Sequence, residues 1–184
     1  MARRAFPDAE FHLVEPQPAC RAALEGLTGR VHIHPVAVTR PGIGEVRMAG
    51  AGTTGAWIVG GGSAVEESLS VPASTLDALM GHTLSVDKRP LLKLDLEGHE
   101  LAALEGATTV LGAVEVIISE VHFFNILDSG LTVFGDLARF LDDRGFDVYD
   151  VAALSSRPSD GRLRTGDVVF VRRGSPLLRD VGPH

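Results

Sequence analysis

The sequence predicts an α/β fold built on a mostly parallel sheet with one antiparallel strand, and three observations predict it. Apolar, β-branched runs alternate with helical periodicity along most of the chain. The central run Leu91, Leu92 and Leu94 leads into Asp95, Glu97 and Gly98. Leu101, Leu104, Ala107, Val110 and Leu111 then follow at three- and four-residue spacings, the pattern of a buried strand, an acidic turn and an amphipathic helix. The last two strand patterns, 146–151 and 168–172, have no helical pattern between them, so they join as a hairpin and one runs backwards. A parallel sheet of this kind is covered on both faces.

Residues 11–14 form a short apolar strand ended by Pro16 and Pro18, and a helix is expected over 19–27 with Gly29 near its end. The pattern over 31–38 reads as one strand, with Pro35 marking an edge or a bulge. Pro41 and Gly42 make a turn, and 45–48 is a short hairpin strand. Residues 50–63, rich in Gly and Thr and without a period, read as a long loop containing Trp57. Val71 begins another strand. Ser74 is expected to cap the helix that follows, with Asp77 three residues on as in a capping box. Gly112 closes the central helix, 114–121 is a buried strand, 123–130 a loop, 133–144 a helix, and 155–167 a polar turn region.

Composition bounds the function. The 184 residues suffice for one domain with a core, which aromatic residues at only 5% leave mainly aliphatic. A net charge of −7 with scattered Lys and Arg argues against nucleic acid as the partner, because phosphate binding needs a cationic footprint. Cys20 alone forms no intramolecular disulfide and fits a reducing, cytoplasmic setting. No apolar run approaches the roughly 20 residues of a membrane span, so no membrane partner is expected.

Acidic residues mark the carboxyl ends of the strand patterns, where ligands of open α/β sheets bind. Glu15, after the first strand, suits the hydroxyls of a cofactor ribose. Asp95 can orient a substrate hydroxyl, meet a cofactor's ammonium group or bind a metal. Glu97 points to the opposite face if the strand continues, and otherwise serves as a helix-start charge. Glu120 and His122, two apart, share a face beside Asp95; Asp95, Glu120 and His122 suit Mg²⁺ or another divalent ion, or His122 acts as a general base. His99 reads as a partly exposed helix residue and Glu100 as helix-start charge. His32 and His34 have no Cys or carboxylate near them in sequence, so no zinc site is read there.

The segment Lys93-x-Asp95-x-Glu97-Gly98-x-Glu100, followed by Leu104-Glu-Gly-Ala107, resembles the central motif of the FkbM-type methyltransferases. Phe11-His-Leu-Val-Glu-Pro-Gln-Pro18, Val36-Ala-Val38, Ser74-Thr-Leu-Asp77 and Val116-Ile-Ile-Ser-Glu-Val-His122 resemble that family's other segments in the same order. The resemblance implies a Rossmann-like methyltransferase sheet and an S-adenosylmethionine-dependent O-methyltransferase acting on a hydroxyl of a small molecule or sugar. Glu15, Ala37 and Asp95 would contact the cofactor, Asp95 and His122 would be catalytic, and Mg²⁺ would be a further cofactor. The sequence departs from the family in lacking a Gly-x-Gly turn before Glu15. The expectation is therefore one methyltransferase-like domain over 1–184 without the family's first strand, either truncated at its N-terminus or a non-catalytic binding or scaffolding remnant. Such a sheet would offer an open edge to a second copy or another partner. A metal-dependent hydrolase on the same carboxylates is a third reading, and 50–63 with 123–130 would shape the acceptor pocket.

Overall fold

In the computed structural model, which describes residues 2–53, 55–59, 67–124 and 131–179, the strands gather in three sheets. A short helix α1 (Ala2–Ala5) leads to β1 (Phe11–Val14), and a second short helix α2 (Pro18–Arg21) to β2 (Val31–His34). β1 and β2 pair in parallel, His12 opposite His32 and Val14 opposite His34. The helix expected over 19–27 is only one turn long, and the chain passes through turns from Ala22 onward.

Pro35 divides what hydropathy presents as a single strand. β2 stops before it, and β3 (Ala37–Val38) starts after it in another sheet. Proline has no N–H to offer a ladder, so pairing with β1 ends there. In the new sheet β3 runs parallel to β6 (Leu69–Ser74), which pairs antiparallel with β4 (Glu45–Ala49); β4 in turn pairs with β5 (Trp57–Ile58). Trp57 thus sits on a hairpin arm and not in a structureless loop, while residues 54 and 60–63 of that expected loop lie outside the described residues.

Helix α3 (Leu76–Met80) is capped by Thr75, not by Ser74: Thr75 Oγ1 accepts the Ala78 N–H at 3.1 Å, and Ser74 ends β6. Asp77 makes no capping box. Its two carboxylate oxygens accept the Thr109 and Val110 N–H groups, both at 2.9 Å, and so cap a different helix, α5 (Thr108–Ala113). The central amphipathic stretch is two helices, α4 (Glu100–Glu105) and α5, broken at Gly106. A Cβ at Gly106 would meet the Thr39 carbonyl oxygen at 2.5 Å, so the chain turns where two backbones touch. Gly112, expected as the stop, lies inside α5.

β7 (Leu91–Leu94) and β8 (Val116–His122) are parallel neighbours, and β10 (Leu163–Arg172) lies antiparallel between β8 and β9 (Phe146–Ser156). In this sheet three strands run one way and one the other. The 155–167 region expected as a polar turn mostly extends the arms of the β9–β10 hairpin, which continue past the core because ladder bonds, not burial, hold them. Helix α6 (Phe134–Asp142) packs with α4 and α5 on one face, where Leu104, Ile117, Leu137, Leu141, Phe146 and Phe170 are almost wholly buried. On the other face Leu91 is 48% exposed, so the two-sided cover expected from sequence is not complete among the described residues. The α/β class holds, but the strands form sheets of mixed direction rather than one mostly parallel sheet. None of the helices described is long and apolar enough to cross a membrane.

Candidate active-site cleft

The site begins where β7 ends. Leu94 is the last paired residue, and the chain then turns sharply: Glu97 has φ +52° and Gly98 φ +95°. Because the strand does not continue, the alternation that would send Asp95 and Glu97 to opposite faces does not apply. Their carboxylates converge, and together with Glu120 on β8 they place oxygens within 4.8 Å of one another.

Glu100 holds this turn. It is 1% exposed, and its Oε1 accepts the Leu96 N–H at 2.9 Å and the Gly98 N–H at 3.3 Å. It is therefore a buried anchor and not the helix-start charge its position suggests; burial raises its pKa, opposed by these N–H donors. The positive φ at Gly98 demands glycine, and a Cβ there would also push aside the Leu131 side chain, whose Cδ2 lies 2.3 Å from its position.

Five carboxyl groups in one corner must repel. Burial pushes Glu120 up to about 7, with Glu97, Asp95, Glu100 and Asp167 adding to the effect. Glu97 is likewise raised by burial and by Asp95, against the pull of Arg164. Lys93 supplies the local counter-charge, with Nζ 3.1 Å from Asp95 and 3.8 Å from Asp167. Glu120 Oε2 is buried without a hydrogen-bond partner among the described residues.

His122 does not join the carboxylates. The group that can share an ion in this corner is Asp95, Glu97 and Glu120, in place of the sequence-derived set Asp95, Glu120 and His122. The imidazole is 4% exposed, and its Nδ1 has no partner among the described residues. Burial lowers its pKa, and the Arg164 charge lowers it further. The strand places it beyond the turn, where it bridges to Val133.

Glu15, Ala37 and Asp95, which lie far apart in sequence, line one cleft of about 120 Å³ together with Val14, Gln17, Val38 and Glu97. Glu15 Oε1 accepts the Gln17 N–H at 2.7 Å. Gln17, 6% exposed, bonds the β4–β5 turn through the Gly52 N–H at 2.7 Å and the Thr53 carbonyl at 3.4 Å. Sequence reasoning missed this role, and also that of Thr39, whose Oγ1 lies 2.9 Å from His99 Nε2. His99 is half-buried, and burial, with the Arg40 charge adding, depresses its pKa to about 4. A polar residue between two prolines and a threonine after a short strand were the only local signals. Residues 125–130 of the expected acceptor loop lie outside the described residues.

The cleft thus lies at acidic strand ends, the place where open α/β sheets bind their ligands. The chain belongs to the methyltransferase FkbM domain family, whose model matches residues 2–148. No curated protein matches the sequence. Among solved structures, a single-residue variant of LepI in complex with SAH and substrate analogue is similar over 93% of this chain and 39% of that one, at 14% identity and a TM-score of 0.40. The chain thus spans well under half the length of that solved protein.

Proposed function

We propose that the chain is an S-adenosylmethionine-dependent O-methyltransferase domain acting on a hydroxyl of a small molecule or sugar. The observation that carries this reading is the meeting of Glu15, Ala37 and Asp95 at one cleft, with three carboxylates gathered at its side. At about 120 Å³ the cleft is smaller than the roughly 300–1,000 Å³ typical of ligand pockets, so it fits one part of such a cofactor.

The donor set suits that part. Glu15 has a second carboxylate oxygen with which to accept ribose hydroxyls, while the Gln17 N–H holds the first. Val14, Val38, Met48, Ile58 and Leu96 offer an apolar wall. Asp95 and Glu97 supply negative charge for an ammonium or sulfonium group. When bound, the cofactor provides an electrophilic methyl group. Glu120, with a pKa of about 7, is poised to accept the proton of an acceptor hydroxyl near neutral pH. His122, held neutral by burial, is the second candidate base. The Asp95, Glu97 and Glu120 oxygens also suit Mg²⁺, which prefers oxygen ligands.

Isothermal calorimetry with S-adenosylmethionine tests the reading against that of a non-catalytic remnant. Micromolar binding that weakens at least about tenfold in Glu15→Ala supports it. Millimolar or absent binding abandons catalysis.

A further inference from the structure

The first two strands carry a second cluster, away from the cleft. Parallel pairing sets His12 opposite His32 and Val14 opposite His34, so three imidazoles share one face. Glu10 lies just before β1 and adds a carboxylate. Its Oε1 is 2.8 Å from His32 Nε2 and 4.0 Å from His12 Nε2. Glu10, His12 and His32 each present a ligand atom within 4.8 Å of the others. Sequence spacing hid this group, because Glu10 and His32 are 22 residues apart.

We infer that Glu10, His12 and His32 form a binding site for a zinc-like divalent transition-metal ion, with His34 orienting His12. Two imidazoles and a carboxylate are a donor set that suits zinc, with a water as fourth ligand. His12 Nδ1 lies 3.1 Å from His34 Nε2. When His12 Nδ1–H donates to His34, Nε2 of His12 is left as a lone pair on the side of Glu10. This is how an outer partner commonly sets the tautomer of a metal-binding histidine.

The arrangement must shift a little to close on an ion. The His12 and His32 rings stack at 4.8 Å and 19°, so their nitrogens point side by side. His32, with a side chain 51% exposed, has room to turn. It must also give up its Nε2 proton, and Arg30, 3.2 Å from Glu10 Oε2, competes for the carboxylate. Along β1, five residues or roughly 16 Å separate Glu10 from Glu15, so the two sites are independent.

The test is titration of the purified chain with Zn²⁺ in competition with a chromophoric chelator. One equivalent is expected to bind at micromolar or better affinity and to raise the melting temperature. His32→Ala and Glu10→Gln, both at partly exposed positions, should each weaken binding at least about tenfold, and His34→Ala about tenfold. Asp95→Asn should bind zinc like wild type, which separates this site from the cleft carboxylates. Wild-type affinity weaker than about 100 μM, or full affinity retained in the His12→Ala/His32→Ala double variant, overturns the inference.

Discussion

At Glu120, burial and four neighbouring carboxylates act in the same direction, and the pKa stands at about 7 against an ordinary 4.5. A raised folded-state pKa means that the fold binds this proton more tightly than the unfolded chain does. The stabilising contribution is complete below about 4.5 and is lost as pH rises through about 7. Glu120→Gln should therefore gain thermal stability relative to wild type as pH climbs from 4.5 to about 8, measured by paired melting curves. A difference that shrinks over that range would remove Glu120 as the titrating group. His99 works the other way: its pKa is depressed to about 4, so its contribution is present above 6.5 and lost as pH falls toward 4. The acidic residues of the cleft were legible because each follows an apolar run. Gln17 and Thr39 were not, since their partners lie 35 to 60 residues away and no local pattern encodes such a bond.

At the scale of elements, helix starts and breaks are set by distant contacts. Asp77 reads as a capping residue of its own helix, yet its carboxylate serves Thr109 and Val110 at the start of α5. Asp77→Ala should cost about 1–2 kcal/mol in urea unfolding and speed hydrogen exchange at the Thr109 and Val110 amides. Unchanged exchange there would mean that water replaces the cap. The split between α4 and α5 had the same kind of cause: helical periodicity ran straight through Gly106, while the Thr39 backbone, far away in sequence, forbids a side chain there. The turn at 95–98 was half legible. Gly98 signalled it, but the buried Glu100 that fastens it looked like an ordinary surface charge. Pro35 signalled a break in pairing, but not that β3 leaves for another sheet.

At the scale of the whole molecule, the three sheets differ in support. The β7–β8–β10–β9 sheet rests on the helices and holds the largest buried side chains, whereas β1 and β2 make a two-stranded ladder in which no residue is fully buried. Small two-stranded ladders are marginal alone, and local opening follows such differences. Hydrogen exchange should thus be fastest among strand amides in β1 and β2 and slowest in β8 and β10. Equal protection would mean that the sheets open as one unit. Order of elements and fold class were readable from alternation, but the separation of the strands into three sheets was not, because hydropathy reports burial and not which strand is the neighbour. The cleft depends on that arrangement, since Glu15 comes from the weakly supported sheet and Asp95 from the strong one. The most direct measurement is a crystal structure of the chain soaked with S-adenosylhomocysteine. Density for the nucleoside beside Glu15, with the amino-acid end toward Asp95, is the predicted result. Ligand density elsewhere, with the cleft filled only by ordered water, would contradict the account.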